Sequence, residues 1–234
     1  MQLWYEHLPG SLLIRTEKAQ IDKVLSSILG ENLLQIGGPL DFSSASPIRN
    51  KVYLAHHAKM LKGNPLGIVA DCTRLPILTS SLNVILLIHV LEFIKNPPQL
   101  LSEVYQALSP SGQIILLSFN ACSFWGLAHL WKRKNRKPWN GHFYTTFQVK
   151  HWLRQAGFRV VNSESFYFRP PVEHHPNWDK HLLWLEAAGQ LCLPACGSIF
   201  LISAQKREIP LTPIKVKPVP KKIIIKNSYV KQAS

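Results

Sequence analysis

Residues 71–120 run DCTRLPILTSSLNVILLIHVLEFIKNPPQLLSEVYQALSPSGQIILLSFN, and the order of elements in this stretch decides the fold. Asp71-Cys72-Thr73-Arg74-Leu75-Pro76-Ile77 is an acidic-then-apolar loop. Leu82-Asn83-Val84-Ile85-Leu86-Leu87-Ile88 is a continuous apolar run, too short for a core helix and bounded by turn residues. Such a run predicts a strand buried on both faces of a parallel sheet. His89 to Ile94 leaves that strand, and Asn96-Pro97-Pro98 opens a helix. Asn serves as N-cap, and Pro is tolerated in the first turn, where its missing N–H is not needed. Leu100, Leu101, Val104, Tyr105 and Leu108 give the helix an apolar stripe. Ser109-Pro110-Ser111-Gly112 stops it, and Gln113 to Phe119 is a second buried strand. The unit is a strand–helix–strand crossover, the building block of α/β folds.

Working outward, Ser11 to Leu29 reads as a helix that Gly30 is placed to end. Leu33-Leu34-Gln35-Ile36-Gly37-Gly38-Pro39 is a short apolar strand turning at glycines. Lys51 to Ala55 and Gly67 to Asp71 supply two more strands. C-terminal to the opening stretch, Ala121 to Trp131 is apolar with aromatics, and the basic block Lys132-Arg133-Lys134-Asn135-Arg136-Lys137 follows. Thr146 is placed to cap a helix from Phe147 to Gln155. Phe158 to Phe168 and Ser198 to Ala204 read as the last two strands, with an amphipathic helix from Trp178 to Leu191 between them. The whole predicts an α/β, Rossmann-like seven-stranded, mostly parallel sheet with helices on both faces. Residues 1–207 form that domain, with the N-terminal helix at 11–29 and the core at 33–204. Residues 208–234 form a basic, Pro/Lys-rich tail expected to be disordered, within which Ile223-Ile224-Ile225 is a short apolar run that would be shown to dock by a loss of several degrees on removing the tail. Removing the tail is expected to leave the melting temperature nearly unchanged.

The chain has 234 residues, 46% of them hydrophobic, and a formal charge of +14. That charge favours anionic partners, and excludes nothing about the fold. Through the basic block and tail it predicts weak nucleic-acid contact without sequence specificity. No apolar run approaches the roughly 18 residues that span a bilayer, and Met1 to Glu6 does not read as a secretory leader. Scattered Cys72, Cys122, Cys192 and Cys196 suit free thiols in a reducing cytoplasm. Cys192 and Cys196 near His174, His175 and His181 match no standard zinc spacing, so no metal site is expected.

The stretch also carries a family resemblance. Asp71, Leu75-Pro76-Ile77, His89-Val90-Leu91-Glu92-Phe93 and Leu108-Ser109-Pro110-Ser111-Gly112-Gln113 stand in an order that resembles the S-adenosylmethionine-dependent methyltransferases of the type 11 group. Ser118-Phe119-Asn120, Phe124-Trp125-Gly126-Leu127 and Ala204-Gln205-Lys206-Arg207 are similar to a bacterial subfamily of it. The similarity covers most of residues 1–207. It implies S-adenosylmethionine as cofactor, held by Gln35, Gly37, His56, Asp71, Cys72 and His89. Gly37 would let the backbone approach the donor, so that Gly37→Val should abolish binding while the fold survives. Asp71 would accept from the adenine amino group beside the Cys72 N–H, or simply cap its turn. His56 would hold one ribose hydroxyl, since a neutral imidazole offers a single acceptor. His89 would orient or deprotonate the acceptor, or line the pocket structurally. His129, Trp139, His142 and Tyr144 would lie on the acceptor side.

The sequence departs from the family pattern at four places. Gln35 and His56 stand where acids are usual, and Pro39 and Asp41 where glycines are usual. Two functions therefore remain open. One is a methyltransferase acting on a small-molecule acceptor. The other is a methyltransferase-like binding protein without turnover, whose partner is anionic, such as RNA. Asn96-Pro97-Pro98 is similar to the signature of amino-group methyltransferases, but it lies beyond His89–Lys95 and Gln99 follows it, so capping explains it better.

Overall fold

The computed structural model describes residues 10–57, 66–131, 141–169, 187, 189–191 and 193–207. Seven strands form one sheet: β1 (Asn32–Gly37), β2 (Asn50–Ala55), β3 (Gly67–Val69), β4 (Leu82–Ile88), β5 (Leu108–Phe119), β6 (Phe158–Phe166) and β7 (Ile199–Lys206). Their order is β3-β2-β1-β4-β5-β7-β6. β3, β2, β1, β4 and β5 run parallel, whereas β7 is antiparallel to both β5 and β6. Val84–Ile88 lies beside Gln113–Leu117 in parallel register, as the opening stretch predicts. The mostly parallel seven-stranded sheet is therefore the expected one.

Strand residues alternate between two cores. Leu33, Leu86, Ile88, Ile115, Leu117 and Leu201 meet α1 (Gly10–Leu25) and Trp125 of α3 (Phe124–Trp131) on one face. Leu34, Ile85, Leu87, Ile114, Leu116 and Ile202 meet α2 (Pro97–Ala107) and α4 (Thr146–Gln155) on the other. A strand covered on both faces has no solvent side, which is why Leu82–Ile88 reads as an unbroken apolar run. Each such Leu or Ile contributes about 1.5–3 kcal/mol by leaving water.

Polar anchors set the element ends. Asn96 caps α2 by accepting from the Gln99 N–H at 3.4 Å, with Pro97 and Pro98 in the first turn. Thr145, one residue before the expected Thr146, caps α4 by accepting from the Gln148 N–H at 3.2 Å. The first helix stops at Leu25 instead of Leu29. Ser26 and Ser27 donate their hydroxyls back to the Lys23 and Val24 carbonyls, the local competition by which serines end helices. β3 ends at Val69, so Asp71 lies beyond it in a turn. β6 ends at Phe166, short of Phe168, because Tyr167 takes φ +62° and leaves the extended region. β7 extends two residues past Ala204, to Lys206.

Among the described residues no helix is long and apolar enough to cross a membrane. The block Lys132–Lys137, Trp139, most of Trp178–Leu191, His174, His175, His181, Cys192 and residues 208–234 lie outside the described residues.

Candidate functional site

Because β1 to β4 are parallel, their carboxyl ends share one edge of the sheet, and the order reverses between β1 and β4. Ligands of open α/β sheets bind at such a switch point. That edge carries Gly37-Gly38 at the end of β1, His56 after β2, Asp71-Cys72 after β3 and His89 after β4. The fold therefore brings Gly37, His56, Asp71, Cys72 and His89 to one edge, while Gln35 lies two residues inside β1.

Gln35 faces inward. Its amide donates to the carbonyls of Gly37 (3.1 Å) and Leu40 (2.7 Å), and its oxygen accepts from the Phe42 N–H at 2.9 Å. It thus shapes the 37–42 loop and has no polar group left over for a ligand. The Tyr53 hydroxyl, from β2, donates to the Gly37 carbonyl at 2.8 Å and lies against that of Gly38. Burial raises its pKa to about 12, with Asp41 nearby adding to the effect and the hydrogen bond with Gln35 partly offsetting it. Tyr53 escaped the sequence reading because nothing local marks a strand tyrosine as a loop clamp.

Gly37 and Gly38 take φ of +74° and +83°, a region that favours glycine. A Cβ on Gly37 would stand 2.6 Å from Val90 Cγ2 and 2.7 Å from the Ile88 carbonyl oxygen. The demand for glycine there comes from β4. Gly37→Val should therefore damage the fold as well as any binding, contrary to the sequence expectation.

Asp71 is exposed, and its Oδ1 accepts from the Thr73 N–H and hydroxyl, both at 2.9 Å. These two bonds hold its pKa below the usual carboxylate value, helped by the nearby charges of His56 and Arg74. The turn-capping role is real, yet it engages only one oxygen; Oδ2 accepts from no described residue. Cys72 is half-buried against the α2 core. Burial, then the Asp71 charge, pushes its thiol pKa up, so it is a poor nucleophile.

His89 is buried, at φ +51°, between two buried acids. Its Nε2 lies 3.0 Å from Glu17 Oε1 of α1, and its Nδ1 lies 3.0 Å from Glu92 Oε1. Glu92 Oε1 also accepts from the Ser118 hydroxyl (3.0 Å) and the Phe119 N–H (2.9 Å). Burial by itself lowers the histidine pKa, but Glu17 and Glu92 together outweigh it and raise it to about 10. An imidazolium with both N–H groups donating has no lone pair to accept a proton. This geometry does not suit the expected base; it suits a pin that ties α1 to the ends of β4 and β5. The sequence held a signal for Glu17. It interrupts the stripe Leu13, Ile21, Leu25 at four-residue spacing, and an acid in a core stripe implies a buried partner.

A series of ring contacts leads outward from this pin, tilted at His89 and stacked beyond it. Phe119 lies 4.4 Å from His89, Phe143 5.0 Å from Phe119, and His129 4.3 Å from Phe143. Tyr144 bridges to Asn120 and packs on Trp152, and burial followed by the Glu92 charge raises its pKa. The His142 N–H donates to the Glu92 carbonyl at 2.7 Å. His129, His142 and Tyr144 thus lie around Phe143.

Residues 30–163 match a family model described as a methyltransferase domain. The "Uncharacterized protein YafS" of Escherichia coli (strain K12) is 30% identical over 208 residues, covering 87% of this chain and 80% of that protein. Among solved structures, a SAM-dependent methyltransferase of Thermotoga maritima superposes with TM-score 0.62 at 19% identity, covering 81% of this chain and 88% of that one. One from Archaeoglobus fulgidus gives 0.58 at 18% identity, covering 82% and 94%. These structural likenesses concern the fold.

Proposed function

Since this chain belongs to the methyltransferase-domain family, whose methyl donor is S-adenosylmethionine, we propose that it methylates a small-molecule acceptor, residues 1–207 forming the catalytic domain. The reading rests on one observation: Gly37-Gly38, His56 and Asp71 follow β1, β2 and β3 on the same carboxyl edge, running outward from the β1/β4 switch point. The residues present fit the donor. Asp71 Oδ2 is available to accept from an amino group, and exposed His56 offers a ring nitrogen to a hydroxyl. Gly38 presents half-exposed backbone on a loop already shaped by Gln35 and Tyr53.

When bound, the donor supplies an electrophilic methyl group on a sulfonium. The protein's task is then alignment and exclusion of water. The wall Phe119–Phe143–His129 flanks the acceptor side, and the Glu17–His89–Glu92 pin holds α1 over it. With both His89 nitrogens engaged, the acceptor's proton passes to another group or to water.

A second reading, a donor-fold protein that binds without turnover, is favoured by Gln35. Its polar groups are all engaged in the loop, and His56 stands where the related family uses a carboxylate. Calorimetric titration with S-adenosylmethionine and S-adenosylhomocysteine separates these readings from failure of both. Binding, tightened by His56→Asp, supports the donor site. No binding by wild type or His56→Asp at millimolar donor rules out methyl transfer. Binding without methyl transfer to any member of an acceptor panel favours the second reading.

A further inference from the structure

The end of β2 carries two adjacent imidazoles, more than a single ribose hydroxyl requires. His56 and His57 follow Ala55, the last residue of the strand, and both are exposed. Their rings meet edge to face with centroids 4.8 Å apart, and neither hydrogen-bonds to a described residue. Parallel pairing of β2 with β1 and β3 puts this point on the carboxyl edge, with Gly37 on one side and the Asp71 turn on the other.

A ribose diol is held best by a carboxylate, which accepts from both hydroxyls at once. The loops after β1 and β3 have none to spare. Asp41 and Asp71 are their only acids. Asp41 Oδ1 is taken by the Ser43 N–H at 2.7 Å and the Ser43 hydroxyl at 2.6 Å. Asp71 is held below its usual pKa first by Thr73 and then by the charges of His56 and Arg74, so both of these lie near it. The ribose side of the edge therefore offers donors and cations. An imidazole N–H donates to a phosphate oxygen, whereas a carboxylate in its place would repel it. In dinucleotide-binding sheets an acid meets the free ribose hydroxyl, and a basic group meets its phosphorylated form.

We propose that His56 and His57 bind a phosphate carried on a ribose, so that the donor edge also takes an adenosine nucleotide phosphorylated at the 2′ or 3′ position, in competition with S-adenosylmethionine. This rests on the proposed donor site, with adenine at Asp71 and ribose at His56. One phosphate accepts from both rings, which is the use for the second histidine. Inorganic phosphate would meet the two imidazoles but would leave Asp71 Oδ2 without a donor, so the ribose-borne group is the better fit.

The test is calorimetric titration of the full chain with adenosine, its 2′-, 3′- and 5′-monophosphates, inorganic phosphate and S-adenosylmethionine. The variants are His56→Asp, His56→Gln and His57→Gln, with melting curves to show that these exposed substitutions leave the fold intact. The wild type should bind the 2′- or the 3′-monophosphate about tenfold or more tightly than adenosine or the 5′-monophosphate, and S-adenosylmethionine should displace it. Each Gln variant should weaken that preference. His56→Asp should abolish it while tightening the methyl donor, a change of opposite sign that general damage to the site would not produce. If S-adenosylmethionine binds but neither monophosphate exceeds adenosine, the proposal is overturned and the donor site stands. A preference that survives His56→Asp overturns it, as does inorganic phosphate binding as tightly as the nucleotides, which would mark an anion site without a ribose. Binding of none of these ligands overturns the proposal and the donor site together.

Discussion

His89 is the residue on which the site's interior turns. A non-glycine residue in the left-handed region is strained and persists only where its surroundings over-determine it. Here two buried carboxylates do so. Its pKa is raised in the folded state, so its contribution to stability is fully present below the unfolded value near 6.5 and is lost as pH rises through about 10. Thermal melts should therefore show wild-type stability falling between neutral pH and pH 10, with a much flatter profile for His89→Gln. His89→Ala would leave Glu17 and Glu92 buried without their common partner, at a cost of about 3–5 kcal/mol in urea unfolding. Glu17→Gln keeps an acceptor for Nε2–H and should cost less, about 1–3 kcal/mol. The opposite ranking would mean that the acids, and not the imidazole, hold α1 in place. Asp71→Ala belongs to the other half of the site. It should weaken donor binding while leaving the melting temperature nearly unchanged, since the side chain is exposed and bonds only within its own turn.

At the element scale, the parts of the segment from β4 to β5 can be tested one by one. Asn96→Ala removes the α2 cap and should destabilise the chain by about 0.5–2 kcal/mol, with donor affinity unchanged. A loss of affinity would mean that Asn96-Pro97-Pro98 touches substrate after all. Leu101, fully buried on α2, should cost about 2–5 kcal/mol when changed to Ala. The β1 loop differs because it is held by side chains from elsewhere. Gln35→Ala would strip the Leu40 carbonyl and the Phe42 N–H of their partner and leave the Gly37 carbonyl to Tyr53 alone, whereas Gln35→Glu would put an acceptor against two carbonyls. Both should loosen the loop, which limited proteolysis near residues 37–42 would register.

For the whole molecule, the edge that gathers His56, Asp71 and His89 is a consequence of topology, because only parallel strands put successive loops on one side. Gly37→Val tests how closely fold and site are joined there. Its Cβ would meet the Ile88 carbonyl and Val90, so donor binding and melting temperature should fall together. A variant that keeps its melting temperature and loses only binding would restore the reading in which Gly37 makes room for ligand alone.

The sequence by itself determined the elements and their order. Leu82–Ile88, the helix capped by Asn96 and the buried part of β5 are legible because burial on two faces, capping and helical periodicity leave local patterns, although β5 already begins at Leu108, which the sequence placed on the helix stripe. The Asp71 turn was legible for the same reason, since Thr73 is two residues away. Only the tertiary structure decided the partners. Glu17 reaches His89 across 72 residues, and Tyr53 reaches the Gly37 carbonyl across 16. Both are set by strand register and by where α1 crosses the sheet. Such pairings leave at most a misplaced polar residue in an apolar stripe, as Glu17 does. A local pattern can report that a charge must find a partner, but its identity depends on packing between segments that the chain brings together only on folding.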